Sequence, residues 1–530
     1  MNRPTVALAA LLVISLAPAG CSGSDAGTTP RGPAVDGAFA VAVDSDPGDL
    51  NPLLTDIVNA QIIGLYSYDT LIYVDPQTSK PAPFLAESWT ERPTEVTYTL
   101  RSGITCADGS PFTAQTAADN LTWILDPKNA SPRLGSVVPT DAKVSVRGNV
   151  LTVTTSKPRP FMLYDVGGQQ LACAGALRNP KSVSAGSDGT GPFVIKQVVA
   201  GDSITLTRRD GYTWGPGGST STTPGVPKTV TIKIVTSPST RANLLLSGQL
   251  NAATVSGEDE QRLARFDSRP SPAISGMIIY NHVAGVPTAD AEVRKALTQA
   301  IDLDTLTEIL TGGKGKRATS LLTEEPRLCD YDTVTGYLPS FDAAAAARTL
   351  EAAGYTKDPS GGYAKDGRQL KMTLVYDNST NTRTAAAEYL AKQWQDLGVG
   401  VALDGGDENF ILGRTVATKD PSGWTATLGL NLQSGTPAIF PQYLAGPAAP
   451  AGSNFASINN AGYLRYVDEA AKKTGADACT VWAQAEKALF TSTDLVPVAV
   501  TPFKMYFNRA TSLLQPVGGL LPGSAIRVLT

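Results

Sequence analysis

The stretch LKMTLVYDNSTNTRTAAAEYLAKQWQDLGVGVAL, residues 370–403, carries three patterns in succession. Leu370, Met372 and Leu374 alternate along the chain, which predicts a strand. Ala386, Leu390, Trp394 and Leu397 then recur at helical spacing, Gly398 stops the helix, and VGVAL (399–403) begins a second strand. Strand, helix and strand in that order make a βαβ unit, right-handed in nearly all cases, whose two strands lie parallel in one sheet. The α/β class follows from this unit.

Outward from it the same two periods recur. AFAVAV (38–43) reads as a strand that runs into DSDPGDLNPL, a turn-rich loop, and then a helix through Ile57, Ile62, Ile63 and Tyr66. TYTLR (97–101) alternates as a strand, and GITCADGSPFTA turns from it into a helix capped by Thr113 that carries Ala117, Leu121, Ile124 and Leu125 inward. TVTIKIV (229–235) is a further strand. EVRKALTQAID (292–302) puts Val293, Ala296, Leu297, Ala300 and Ile301 on one helical face, and FDAAAAARTLEAAGY reads as a helix between Asp342 and Gly354. No solenoid-type repeat is visible.

The 530 residues exceed what one core serves, so two or three lobes are expected. Lys and Arg total 44 against 48 Asp and Glu, for a net charge of −4. With no basic stripe interleaved with aromatics, that balance argues against a nucleic-acid partner.

Near the start, VALAALLVISLAPAG (6–20) follows a short segment whose only charged side chain is Arg3. The run is too short and too abruptly ended for a membrane span and reads as a signal peptide. Ala19 and Gly20 before Cys21 resemble a bacterial lipobox, with Pro18 where Leu is usual. The expectation is removal of residues 1–20, a lipid on Cys21, and a flexible Gly/Ser/Thr/Pro-rich tether over 21–37. The chain would then sit lipid-anchored on the extracytoplasmic face of the cell membrane. Four further cysteines, Cys106, Cys173, Cys329 and Cys479, lack metal-ligand spacing and allow three disulfide pairings. Cys106–Cys173 with Cys329–Cys479 is favoured because each half is then cross-linked within itself.

Several segments together carry a family resemblance: DPGDLNPL; YTLRSGITCADGSPFTA; GSDGTGPFVI; LLLSGQLNAA; YNHVAGVPTADAEVRKALTQAIDLDTL; and DAAAAARTLEAAGY. In their order and spacing they resemble a family 5 extracellular solute-binding protein, the receptor of peptide- and nickel-type ATP-binding-cassette importers, similar to oligopeptide- and dipeptide-binding proteins. The resemblance implies a two-lobed periplasmic-binding-protein-like fold (type II, cluster C) with an extra subdomain inserted in the first lobe. The expected boundaries are 38–275 for the first lobe, with the insertion at about 80–185, 276–503 for the second, and 504–530 for a return to the first. It also implies a monomer whose partners are a short peptide or peptide-like solute, a permease and an ATPase. No cofactor or metal is expected. A glycan or glycolipid, haem or a metal chelate is the alternative ligand, and an envelope-assembly lipoprotein of the same fold the alternative role.

By the same resemblance the ligand meets Asp46, Gly48, Asp49 and Asn51 after the first strand, Tyr280 and Asn281 where the chain enters the second lobe, and Trp424, Asn431, Gln433 and Ser434. The competing readings are plain turn chemistry for the first group, a self-bonded strand for the second, and a core anchor for Trp424. Peptide-binding relatives place an aspartate near this last region to meet an α-ammonium; here LNLQSGTP (430–437) has none. Either Asp46, Asp49, Asp404 or Asp407 substitutes, or the ligand brings no free amino terminus there. Catalysis is the rival class. His282 is the only histidine, no G-x-S-x-G or S-x-x-K is present, and GGKGKR (312–317) lacks P-loop spacing, so no hydrolase device is legible.

Overall fold

The structure, a computed structural model, describes residues 32–55, 57–75, 78–323, 327–448, 452–513 and 522–530. The signal peptide, Cys21 and residues 22–31 of the tether lie outside the described residues.

One mixed sheet runs through the molecule. Across it lie Gly400–Gly406, Lys371–Asp377, Ala426–Leu428, Asp267–Tyr280, Leu495–Phe507, Ala252–Val255, Ala38–Val43, Thr229–Ile234, Ser203–Arg208 and Phe193–Val199, with Lys316–Arg317 paired to Leu495–Phe507. Two strands are long, Asp267–Tyr280 with 14 residues and Leu495–Phe507 with 13. They pair antiparallel from Asp267 opposite Phe507 to Ile279 opposite Leu495, with register shifts between Ile274 and Met277. Each lobe is built on one end of this pair.

The register fixes which edge of each lobe looks at the other. In the first lobe Ala38–Val43 is parallel to Thr229–Ile234 and Ala252–Val255, and Val255 faces Lys504 while Ala252 faces Phe507. In the second, Lys371–Asp377 is parallel to Gly400–Gly406 and Ala426–Leu428, and Leu428 faces Ile278 while Ala426 faces Tyr280. Both sets of parallel strands therefore run toward the middle of the long pair and end there. Open α/β sheets bind ligands outside the carboxyl ends of their strands, and here two such edges meet.

The βαβ unit has the structural form its periodicity gives. Helix Asn381–Leu397 buries Ala386, Leu390 and Trp394, Gly398 ends it in the left-handed region at φ 106°, and Trp394 Nε1 donates to Leu297 O at 3.0 Å. Helix Ala114–Leu125 starts at Thr113, whose hydroxyl and that of Thr116 each cap the other's backbone N–H, as in a capping box. That helix belongs to a third body, a four-stranded antiparallel sheet ordered Ala86–Arg92, Glu95–Leu100, Val150–Thr154, Lys143–Arg147. Its core includes Val96, Tyr98, Leu121, Ile124, Leu151 and Val153.

Three local expectations change. Ile57 is half-exposed ahead of helix Val58–Gly64, which ends before Tyr66. The run 292–302 is the helix Ala291–Gln299 and then a cap: the Asp302 carboxylate accepts from Asp304 N and Thr305 N and starts helix Leu303–Thr311. The end of the expected tether is tied down, because Pro33 bridges Leu529 and Ala34 N donates to Val528 O at 2.8 Å. Disulfides join Cys106 to Cys173 and Cys329 to Cys479, closing loops of 67 and 150 residues. Cross-links of this span stabilise by about 2–4 kcal/mol each in the chain-entropy account.

Candidate functional site

The first-lobe rim is the loop after Ala38–Val43, and its polar groups bond within the lobe. Asp46 accepts from Gly48 N at 2.8 Å and from Gly201 N at 2.9 Å, and Gly48 takes φ 67°, as the turn requires. Asp49 accepts from Asn51 N at 2.8 Å and from Ser184 Oγ at 3.0 Å. Asn51, 1 % exposed, donates to Pro180 O and accepts from Leu53 N, both at 3.0 Å. The loop is thereby sewn to segments 180–184 and 201. Asx-turn chemistry accounts for these contacts without a ligand.

On the second lobe the rim follows three strand ends. Asp377 pairs with Arg383, and Gly429, at φ 126°, lies so close that a Cβ there would stand 2.7 Å from Asp377 Cβ. Asp404 holds Arg414 Nε at 2.8 Å, and Asp407 caps helix Glu408–Thr415 by accepting from Phe410 N at 2.9 Å. All four carboxylates offered as substitute ammonium partners thus make bonds inside the chain. Segment 430–436 meets Leu322 and Leu328, through the bridge Leu322–Ser434 and Leu328 N donating to Gly435 O at 2.8 Å. Ser434 Oγ accepts from Thr436 N. Asn431 differs: its Oδ1 is buried and has no hydrogen-bond partner among the described residues. Gln433 lies in the same segment, half-buried.

Tyr280, Asn281 and Trp424 stand elsewhere. Each is 0 % exposed. Tyr280 OH shares a hydrogen bond with Thr298 Oγ1 at 3.0 Å inside the second lobe's core. Asn281 donates to Pro421 O and Trp424 O and accepts from Val283 N, while Trp424 stacks on Phe455. The structure places all three as anchors within the lobe, because the long strand continues past the rim and is covered on both faces there. His282 follows them. Burial first, and the Arg294 guanidinium second, push its imidazole down to about 3, so it is neutral. Its Nε2 stands 3.8 Å from Asp494 Oδ1 and has no hydrogen-bond partner among the described residues, so none of their hydroxyls is bonded to that nitrogen as a nucleophile would be.

The motifs quoted above serve packing. Gly189 and Gly191 of GSDGTGPF lie against Ser67, where a Cβ would come within 2.3 Å of Ser67 O and 2.5 Å of Ser67 C. The Asp108–Ser110 turn leads the chain from Cys106 to this point, where Ala107 N donates to Gly189 O. Beneath them Asp69, 2 % exposed, accepts from Thr190 Oγ1 and Trp214 Nε1. Burial raises Asp69 to about 6 against these donors and the nearby Arg209.

Sequence reasoning missed Asp165. It sits on helix Met162–Gly167 of the inserted body, next to Tyr164, which packs against both that body's core and a second-lobe cluster; Phe161, just before the helix, is buried in that cluster. Its carboxylate makes no hydrogen bond or ion pair among the described residues. Desolvation pushes it up to about 7, against the pull of Arg159 and Arg133 and with Glu91 adding repulsion. A lone Asp in FMLYDVG gives no such signal in sequence.

Two α/β lobes strung on a pair of long strands, with strand carboxyl edges facing each other, define a cleft-type solute-binding protein. The family model for bacterial extracellular solute-binding proteins, family 5, middle region, matches residues 80–456. The chain belongs to that family. It is 26 % identical over 403 residues to Protein XP55 of Streptomyces lividans, spanning 72 % of this chain and 70 % of the relative. Over 438 residues it is 25 % identical to the dipeptide-binding protein of Escherichia coli strain K12, spanning 73 % and 77 %. NikA from Brucella suis, solved in complex with Fe(III)-EDTA, superposes with a TM-score of 0.76 over 93 % of this chain and 100 % of that one; at 21 % identity this is a likeness of fold.

Proposed function

We propose that the chain is the lipid-anchored receptor of an ATP-binding-cassette importer: on the extracytoplasmic face it closes as a monomer around a short peptide or peptide-like solute and presents it to permease and ATPase subunits. The observation that carries this reading is the long strand pair, since two strands joining two lobes form a natural hinge and place both strand-end rims at one cleft. Binding energy then drives closure, and closure reports cargo. The dipeptide-binding relative supports the solute class.

Recognition rests on neutral polar groups. The carboxylates at 46, 49, 404 and 407 are engaged, whereas the Asn431 amide oxygen, without a partner among the described residues, can accept from a peptide N–H or a hydroxyl. A metal chelate is the second reading, favoured by the likeness to NikA; a chelate brings its own donors and so does not need His282, whose side chain is 11 % exposed within the second lobe. The chain acts as a binder and turns nothing over.

The test is a thermal-shift panel of free and N-acetylated di- to pentapeptides, oligosaccharides and Fe(III)-EDTA, with chromatography of the recovered solute. A cargo at about 100 times its Kd stabilises by roughly 2.7 kcal/mol. Stabilisation by peptides recovered intact supports the reading. Stabilisation by Fe(III)-EDTA alone selects the chelate, and recovery of cleaved product contradicts a receptor.

A further inference from the structure

The segment GGKGKR (312–317) has no part in the cargo site, yet its geometry is tightly specified. Helix Leu303–Thr311 ends in two consecutive left-handed residues, Gly312 at φ 60° and Gly313 at φ 73°. A Cβ on Gly315 would fall 2.5 Å from Thr311 Cγ2 and 2.7 Å from Val500 O, so only glycine lets this loop press on the long strand. Lys316 and Arg317 then pair with Val500 and Ala499. Pinned on both sides, the loop projects Lys314 out of the second lobe and onto the first. There Lys314 Nζ donates to Gly257 O at 2.7 Å and to Glu260 Oε1 at 3.0 Å.

Glu260 belongs to the 3₁₀ run Gly257–Leu263, which follows strand Ala252–Val255 at its cleft-side end. Its side chain is 14 % exposed, and its second oxygen meets Lys504 Nζ at 3.4 Å and Tyr506 OH at 3.3 Å. Burial works against the charge on Glu260, and the two ammonium groups outweigh it and hold the carboxyl below its ordinary range. Lys504 and Tyr506 lie on the part of the long strand that pairs with Ala252–Val255, so those contacts stay within the first lobe. Lys314 to Glu260 and to Gly257 O are the contacts that cross.

We infer that Lys314 and Glu260 form an ion-pair latch across the hinge that biases the ligand-free protein toward the closed arrangement of its lobes, the one in which Phe161 of the inserted body is buried in a second-lobe cluster. This rests on the reading of two lobes that open and close. An ion pair between half-buried groups is worth a modest amount, which suits a latch that must release cargo: opening breaks one charged contact and leaves Glu260 still neutralised by Lys504.

The test is small-angle X-ray scattering of the ligand-free full chain, fitted as a mixture of open and closed forms. Lys314→Met and Glu260→Gln are each expected to raise the open-to-closed ratio about threefold. Their combination adds nothing, and about 0.5 M salt moves the native protein the same way. Lys314→Arg keeps the native ratio, and Lys504→Met, which removes a contact within one lobe, changes it less than Lys314→Met does. Circular dichroism of each variant checks the fold, and Lys314→Met, in an exposed loop, stands in if Glu260→Gln fails to fold. Equal opening by Lys504→Met and Lys314→Met overturns the latch, as does an unchanged ratio in Lys314→Met. In that second case, lobes that still shift when a cargo is added leave the two-lobe reading intact; a single form under every condition overturns both.

Discussion

The two rims occupy equivalent places in their lobes, each at the carboxyl ends of parallel strands, and they are built in opposite ways. The first-lobe loop 44–51 is held by Asp46 and Asp49, whose oxygens accept from Gly48, Gly201, Asn51 and Ser184. The second-lobe rim 430–436 leans on Leu322 and Leu328, and their neighbours Leu321, Tyr331 and Thr333 are held by Glu486, 1 % exposed, which accepts from Leu321 N, Tyr331 OH and Thr333 Oγ1 and makes no ion pair among the described residues. Burial lifts Glu486 to about 7 against those donors. A loop closed by its own hydrogen bonds thus faces a rim supported by a buried carboxyl group whose proton affinity is raised toward neutrality. In the proposed function the first rim serves as a wall, and the second offers a ligand the Asn431 acceptor.

The largest expected effect separates the rims by pH. Glu486 has a folded-state value near 7 against an ordinary 4.5, so between those values the native state binds more protons than the unfolded one. Stability at this group is then full below about pH 4.5 and falls as pH rises through the folded value, by about 3 kcal/mol. Protection of the amides at 321–323 and 327–333 against hydrogen exchange, taken relative to the intrinsic rate at each pH, is expected to fall from pH 5 to pH 8 while that at 46–51 holds, and Glu486→Gln flattens the dependence. Protection at 321–323 and 327–333 that is unchanged or rises with pH breaks the comparison.

Next in size is the wall itself. Asn51→Ala removes two buried side-chain hydrogen bonds and strands Pro180 O and Leu53 N, a loss of about 2 kcal/mol in urea denaturation. Cargo affinity is expected to change less than twofold where the variant is folded. A large loss of affinity with native stability would make Asn51 a ligand contact.

Smaller still, Asn431→Leu is expected to weaken cargo about tenfold, or about 1.4 kcal/mol, and to leave the melting temperature unchanged or raised, because it deletes a buried acceptor without a partner among the described residues. The smallest effect is N-acetylation of a bound peptide, expected to cost less than about tenfold by calorimetry. A hundredfold loss would show that an ammonium is bound, and Asp165→Asn would then be the variant expected to abolish the difference, since its carboxylate lies near the lobe boundary without a hydrogen bond or ion pair among the described residues.

What the sequence makes legible is local. Alternation and helical spacing read the βαβ unit at 370–403 correctly because both faces of each element are set by neighbours within a few residues. Asp302 escaped because a cap and a helix interior look alike until the carboxylate chooses the N–H groups of Asp304 and Thr305. The site was the least legible. Asp46 is occupied by Gly201 and Asp49 by Ser184, partners 155 and 135 residues away, and no spacing rule reports that a carboxylate is taken. Tyr280 and Trp424 have side chains that suit a cleft as well as a core; only the strand order, with Asp267–Tyr280 flanked on both sides, decides for the core.

Native mass spectrometry of the protein as it is purified, before any ligand is added and again with a peptide panel, tests the central claim most directly. The account expects a one-to-one complex with a small solute, displaced by peptides that are themselves recovered at unaltered mass. A protein that retains nothing and binds no peptide, chelate or glycan, or one that returns its peptides cleaved, would contradict it.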